Sequence, residues 1–407
     1  MKISLVIFTN NFPDSEMKSE IWLENELKTI SAYFDEIILI PHQSAKRYIS
    51  LPKNVSVLNI EETNQKVTLT DFISCIKILL NDFMYYPSKR DYLKYLRYNL
   101  ALLKQIHKNA YATVNALKSI NTNFIFYSYW SDNLLTKAVI IKNKIKNNSV
   151  LISRGHGFDV FEDQTLHGVI PFRGYQYKHL DKLISVSKRG YLHLISNKKY
   201  LKYNKKNAYS YLGILNTFKN NYPFDATKPF TIVTCSIVRN VKRLQLMPEI
   251  LKHINSPLVW HVLGNGEDLE NLKELCMHLP KNINVIFHGA LSNENILNFY
   301  KNNHINIFCS LSSSEGLPVS MMEAQSFGIP IMSTNVGGCN EICNNETGFL
   351  IEKYFNPKDV AEKLENFKNS AKNTIQFHEK CRLYWELNFN AEKNYKNFAK
   401  TITELVQ

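Results

Sequence analysis

The chain has 407 residues, 44% of them hydrophobic, and a formal net charge of +13. That length suits two domains of ordinary size, each able to bury its own core, and the composition excludes a disordered polypeptide. No apolar run reaches the roughly 18–20 residues of a membrane span.

Taken in order, residues 3–9 read as a first buried strand and not as a signal peptide, because no small-residue cleavage site follows. A polar turn at 10–16 leads to a helix from Ser19 to about Tyr33, and residues 36–41 form a second apolar strand. Strand-helix-strand alternation predicts a parallel α/β sheet. Residues 55–60 suit a third strand. Residues 69–118 read as wholly helical, a long insertion. Strands follow at 124–130, 149–153 and 180–186, the last of this half, with a helix at 134–146. Open α/β sheets bind ligands at the carboxyl ends of their strands. Arg154, His156, Asp159 and Ser187 all fall there. His156 stands between two glycines, where packing explains a histidine poorly. Asp159 suits either a base or a helix cap.

Residues 211–229 read as the connection to a second alternating half. Its strands are expected at 230–235, 258–263, 285–289, 305–308, 329–333 and 348–351. Helices are expected at 244–254, 268–279, 293–300, 319–327 and from 357, with a single closing helix over 385–406. The two halves differ in charge. Residues 1–212 hold 30 Lys and Arg against 17 Asp and Glu, whereas residues 213–407 hold 19 of each. The surplus is densest between Lys89 and Lys108, interleaved with aromatic residues, which suits a face on an anionic membrane. Nucleic acid would attract the same charge, and a solvated helix face would also account for it. The seven cysteines contain no C-x-x-C pair and read as buried reduced thiols.

The most informative stretch is residues 305–324. An apolar strand gives way to a serine-rich turn, then Glu315-Gly316-Leu317-Pro318, then a helix that Pro318 opens at its first position. Helix starts attract phosphate. Carboxylates at Glu315 and Glu323 can each hold a pair of sugar hydroxyls. The expected ligand is both phosphorylated and polyhydroxylated, as a nucleotide-sugar is. Other strand ends of this half add Ser236, Arg239, Lys242, Arg243, Gly264 and Gly266. No D-x-D cluster stands ready for a divalent metal, so Lys, Arg and a helix start must neutralise a leaving diphosphate.

The string from Glu315 to Ala324, followed by Gly328-Ile329-Pro330 and Gly337-Gly338, resembles the E-x7-E signature of retaining family-4 glycosyltransferases. Residues 13–27, 127–130, 153–159, 185–190, 235–243 and 263–266 resemble the same group, in bacterial polysaccharide and cell-envelope biosynthesis. The resemblance implies the GT-B fold, two Rossmann-like parallel-sheet domains facing across a cleft. Residues 1–212 would bind the acceptor, residues 213–384 the donor, and a closing helix at 385–407 would cross back.

Glu315 would meet the donor sugar and Glu323 the ribose, with the Gly316 and Leu317 amides and Lys242 at the phosphates. His156 would contact the transferred sugar, and Glu20, Arg154 and Asp159 would lie on the acceptor side. The implied reaction retains anomeric configuration, uses neither metal nor cofactor, and moves sugar from a UDP- or GDP-sugar to a lipid-linked or polymer acceptor. The implied location is cytoplasmic, at the inner face of the cell membrane, with no nucleic-acid partner. An epimerase or an inactive binding protein of the same fold is the alternative. Two departures stand out. Asn10-Asn11-Phe12-Pro13 replaces a glycine-rich loop, and Ser236-Ile237 stands where Gly-Arg is common. The second phosphate cation is therefore open between Arg239 and Arg243.

Overall fold

The computed structural model describes residues 3–14, 20, 22–43, 49–60, 66–86, 88–118, 120, 123–145, 148–165, 168–218, 224–225 and 227–406. The chain forms two compact units, Met1–Leu212 with Ala391–Gln407, and Gly213–Asn390. The second therefore ends at residue 390, not at 384.

In the first unit the order is β1 (Ile3–Thr9), α1 (Trp22–Ile30), β2 (Glu36–Pro41), β3 (Val55–Val57), α2 (Leu69–Tyr85), α3 (Lys89–Lys118) and β4 (Asn123–Ser128). Then come α4 (Asn133–Ile145), β5 (Val150–Gly155), α5 (Arg173–His179), β6 (Lys182–Ser185), α6 (Lys188–Ser196) and β7 (Asn207–Tyr209). The seven strands pair in parallel in the order β3-β2-β1-β4-β5-β6-β7. Leu5, Val6, Ile7 and Phe8 are all fully buried, as befits a strand covered on both faces. Residues 19 and 21 of the expected first helix, and 15–16 of the turn before it, lie outside the described residues.

Two expectations need correction here. Residues 69–118 are two helices that break around Tyr86, and they are no appendage. Cys75, Ile78, Leu79, Leu103, Ile106 and Ala110 belong to the same core as the sheet. Buried Asp71 fastens them. It completes a capping box with Thr68 at the start of α2, and accepts Lys144 of α4 at 2.7 Å and Tyr111 of α3 at 2.5 Å. The second correction is β7, which follows the strand expected to be last. Asn207 helps to place it, because buried Tyr177 donates to its Oδ1 at 2.9 Å.

The second unit runs β8 (Phe230–Cys235), α7 (Leu246–Leu251), β9 (Leu258–Leu263), α8 (Leu269–Cys276), β10 (Ile283–Gly289), α9 (Asn293–Asn302) and β11 (Ile307–Ser310). It continues through α10 (Val319–Gln325), β12 (Ile331–Thr334), α11 (Cys339–Ile342), β13 (Gly348–Ile351), α12 (Pro357–Lys368) and α13 (Ile375–Asn388). Its six parallel strands lie in the order β10-β9-β8-β11-β12-β13. The order reverses beside β8, as in doubly wound folds.

The expected single closing helix is two. Phe389 leaves helical geometry, Ile214 donates to its carbonyl at 2.9 Å, and Asn390 bridges to Ile214. α14 (Ala391–Thr403) then packs on α1 of the first unit. Tyr395, Phe398 and Ile402 are its buried stripe. Under that stripe lies an ion pair with both side chains fully buried, Arg154 of β5 and Glu26 of α1, at 3.8 Å. The Arg154 guanidinium also faces the Phe398 ring at 4.1 Å, and Tyr127 donates to Glu26 at 3.0 Å. Burial lifts Glu26 above the usual carboxylate range, although Arg154 pulls the other way. Arg154 is thus a core residue joining three elements, not an acceptor contact.

Removing one member of a buried pair strands the other charge, at a cost of about 3–5 kcal/mol. Arg154→Ala is expected to lower the urea midpoint accordingly, and Arg154→Met with Glu26→Leu to recover much of it. A midpoint unchanged by Arg154→Ala would show that the pair does not hold β5, α1 and α14 together.

Candidate functional site

The second unit brings the loops after β8, β9, β11 and β12 together at one sheet edge, because those strands are neighbours. The loops are stacked backbone on backbone. A Cβ on Gly264 would sit 1.9 Å from the Ser236 carbonyl oxygen, and one on Gly337 would sit 1.7 Å from that of Glu315. Both glycines also have positive φ, +143° and +50°. Ser313 donates its amide to the Val241 carbonyl at 2.8 Å, Gly338 to Gly316 at 2.7 Å, and Val238 to Asn265 at 3.0 Å. Gly266 continues the β9 loop, its amide donating to Asn265 Oδ1 at 2.8 Å.

On this platform Lys242 Nζ meets Glu315 Oε1 at 2.6 Å, both side chains mostly buried. Lys242 ends a single 3-10 turn, Asn240–Lys242, whose cap Arg243 has φ +50°. The two arginines have different fates. The Arg243 guanidinium donates to the carbonyls of Leu311 at 2.7 Å and Lys353 at 2.9 Å. It knits the loops together and is not free for a ligand. Arg239 is exposed, with no ion pair among the described residues. Leu317 and Pro318 are buried. Pro318 is the residue before the helix rather than its first, with ψ 111°, and α10 runs only to Gln325.

Glu323 lies on the inner side of α10, 8% exposed. Its Oε1 accepts Asn293 Nδ2, from the first turn of α9, at 2.6 Å. Burial raises its pKa to about 7, against the lowering effect of that bond. Asn293 has no signal in the sequence. After Ser292 it reads as an ordinary helix start.

In the first unit the strand-end residues separate into structural and unpartnered groups. Glu20 is buried, and its carboxylate accepts the amides of Asn10, Asn11 and Phe12 at 3.0–3.1 Å and Trp130 Nε1 at 2.5 Å. It shapes the turn after β1, which corrects its acceptor-side reading. Asp159 is likewise turned inward. It accepts the amides of His156 at 2.7 Å, Gly157 at 2.9 Å and Ser131 at 2.9 Å. Burial opposes its charge, yet the bonds centred on His156 hold its pKa below the usual range. Of its two readings, cap and base, this is the cap. Ser187 caps α6 by accepting the Gly190 amide at 3.0 Å.

His156 differs. Its side chain is 10% exposed; Nδ1 faces Asp159 Oδ2 at 3.9 Å, beyond hydrogen-bond reach, and neither buried ring nitrogen has a hydrogen-bond partner. It packs on Trp130, with centroids 4.5 Å apart, and Trp130 stacks on Phe158 at 5.3 Å. Phe158 is 47% exposed. Apolar rings beside an unpartnered imidazole suit the faces and hydroxyls of a sugar. Neither Trp130 nor Phe158 announces this in the sequence, where both pass for core aromatics. Among the described residues, no three His, Cys, Asp or Glu side chains cluster as a metal site.

Known proteins resemble this chain in sequence over part of its length and in fold over the whole of it. Residues 216–383 match the family described as Glycosyl transferases group 1. The O-antigen biosynthesis glycosyltransferase WbnH of Escherichia coli is 33% identical over 129 residues, 31% of this chain and 35% of that protein. The chain thus spans about a third of the length of the curated relatives it matches. Over whole chains the likeness is structural. The lipopolysaccharide outer core galactosyltransferase WaaB superposes with a TM-score of 0.68 at 15% identity, covering 98% of this chain and 99% of that one. Anabaena Alr3699/HepE, solved in complex with UDP, gives 0.66 at 12% identity, covering 99% and 100%. The fold is GT-B. Glu315, Glu323 and Lys242 all lie in the matched region of this GT-B chain, while His156 and its aromatic neighbours lie outside it.

Glu323 generates a pH prediction. Its pKa is about 7 in the folded chain against an ordinary 4.5, so the folded state holds the extra proton between those values. Stability from this group is full below the lower value and is lost as pH rises through the higher one. Thermal midpoints of the native chain should fall across that window relative to Glu323→Gln. Parallel curves for the two proteins would refute it.

Proposed function

We propose that this protein is a glycosyltransferase of cell-surface polysaccharide assembly, using a UDP- or GDP-sugar. The observation carrying this reading is the Lys242–Glu315 pair on a backbone-stacked loop platform, in the same unit as the buried Glu323. The group 1 match over residues 216–383 supports it, and UDP bound to a protein of the same fold supports the donor class. In this reading Lys242 leaves Glu315 for the donor diphosphate, with Arg239 as the second cation. Glu315 then turns to the sugar, and Glu323, braced by Asn293, takes the ribose hydroxyls. His156 serves the transferred sugar or the acceptor. The reaction is proposed to retain configuration and to use Lys and Arg where other transferases use a metal.

Removing a group that stabilises a developing charge costs roughly 100-fold or more in rate. Lys242→Ala and Glu323→Ala should show that loss in nucleotide release from a panel of UDP- and GDP-sugars, with membrane extract as acceptor. Wild-type rates in both variants would remove the site assignment.

The acceptor is proposed to be lipid-linked and met at the inner face of the cell membrane. The helices α2 and α3 support this. Leu69, Phe72, Ile73, Ile76, Leu80 and Met84 of α2 are all exposed, Leu69 by 75%. Lys77, Lys89, Arg90, Lys94 and Arg97 are exposed beside or after them, and Lys104 Nζ lies over the Phe72 ring at 5.1 Å. Apolar side chains flanked by cations suit an anionic bilayer surface. No helix among the described residues is long and apolar enough to cross a membrane. Sedimentation with phosphatidylglycerol vesicles should be lost in Leu80→Glu with Met84→Glu, and weak with phosphatidylcholine. Equal sedimentation of native chain and variant would exclude this face.

A further inference from the structure

The first unit holds a small, partly open pocket, about 170 Å³, that the site above does not use. Its walls come from Asn10 after β1, His42 after β2, Asp132, Asn133, Leu134 and Lys137 after β4, and Leu102, Gln105, Ile106 and Asn109 of α3. Sheet order runs β2-β1-β4, so the strand order reverses between β1 and β4. The pocket therefore lies at the carboxyl edge of the sheet at its topological switch point, where open α/β sheets take their ligands.

One of its walls is unusual. Lys137, on the second turn of α4, is 5% exposed. Among the described residues it has no carboxylate within ion-pair distance and no hydrogen-bond partner, and burial alone pulls its pKa down to about 8. A buried ammonium without a partner is costly, and such groups are normally paired. The side chains around it are hydrogen-bonding amides and an imidazole, not acids, with one exception. Asp132 lines the pocket, but its Oδ1 accepts the Leu134 amide at 2.9 Å, and burial raises its pKa to about 6. Below about pH 6 it is protonated and donates to an anionic oxygen; at neutral pH it is a carboxylate answered by that amide. The first turn of the 13-residue α4 opens at the same place and adds its dipole, the Leu134 amide being already held by Asp132.

We propose that this pocket binds a carboxylate or phosphate group carried by a sugar, held by Lys137 and the start of α4, with Asn10, Gln105 and Asn109 on the neighbouring hydroxyls. Calling that sugar the acceptor rests on the transferase reading above. The binding itself does not. An acidic or phosphorylated glycan unit is then the acceptor class, and a neutral one is disfavoured because it leaves the ammonium buried and unpaired.

Calorimetric titration of the full chain with methyl β-glucuronide, glucose 6-phosphate and methyl β-glucoside tests this. One or both anionic sugars should bind, the neutral one at least about tenfold more weakly. Which anionic sugar binds tells carboxylate from phosphate. Lys137→Met, which removes a buried charge and so should fold at least as well, is expected to lose the preference. Asn109→Trp, at a partly exposed wall position, should block all three sugars. UDP titrated into the same samples reports separately on the second unit. With GDP titrated in the same way, binding of anionic sugar without either nucleotide would sink the transferase reading and leave the pocket standing. Equal binding of charged and neutral sugars, binding undiminished by Lys137→Met, or no binding of any of the three would overturn the proposal.

Discussion

The second unit depends on backbone stacked directly on backbone. With no side chain at Gly264 or Gly337, the loops leaving β9 and β12 press on the carbonyls of Ser236 and Glu315. Any Cβ there would push the layers apart by more than an ångström, since such contacts fall far inside van der Waals range. Amide-to-carbonyl bonds between the layers, and the Arg243 guanidinium reaching across three of them, then fix the separation. Lys242 and Glu315 meet because the loops that carry them cannot drift. The site is thus an outcome of loop packing before it is an outcome of any charged residue, and Arg243 serves it structurally where a phosphate ligand was the alternative.

The strands were largely legible in the sequence. Residues 3–9, 36–41, 230–235, 258–263 and 348–351 form strands with the expected bounds, because parallel strands covered on both faces leave unbroken apolar runs. Helix ends were less so. The break at Phe389–Asn390 follows from backbone pairing with Ile214, some 175 residues away in sequence, and no local signal encodes that. The short β7 was missed for a similar reason. Three residues held by partners in other elements carry too little pattern of their own.

The candidate site shows the same division. Glu315, Glu323 and Lys242 could be singled out because their spacing sits in one strand-loop-helix unit. Glu20, Asp159 and Arg154 could be placed near strand ends, but not oriented. Whether a carboxylate faces a ligand or turns back on amides depends on neighbours such as Trp130, which lies 110 residues from Glu20. Asn10-Asn11-Phe12-Pro13 illustrates the cost. Read as a departure from a glycine-rich loop, it is instead a turn whose three amides already have an acceptor in Glu20.

What distinguishes the groups left for function is incomplete satisfaction. Arg154 and Glu26 are fully buried with their charges offset across 3.8 Å, even though Glu26 Oε2 and Arg154 Nε and Nη2 make no hydrogen bond, and Asp159 is surrounded by donors. Those charges close on the fold, and their removal would be felt as instability. His156 has two buried nitrogens without hydrogen bonds, Lys137 an ammonium without an anion, and Glu323 a single amide donor under a carboxylate that burial drives toward neutrality. A folded chain tolerates few such groups, because each carries a desolvation cost that nothing inside the protein offsets. Their cost is recovered when a ligand supplies the missing partner, and more so for the right ligand than for a neutral one of the same shape. In the proposed reading the same residues set both affinity and choice of substrate. It also explains why they stand at the carboxyl edges of the two sheets, the one region of each unit where a polar side chain can be buried by the fold and still be reached from outside.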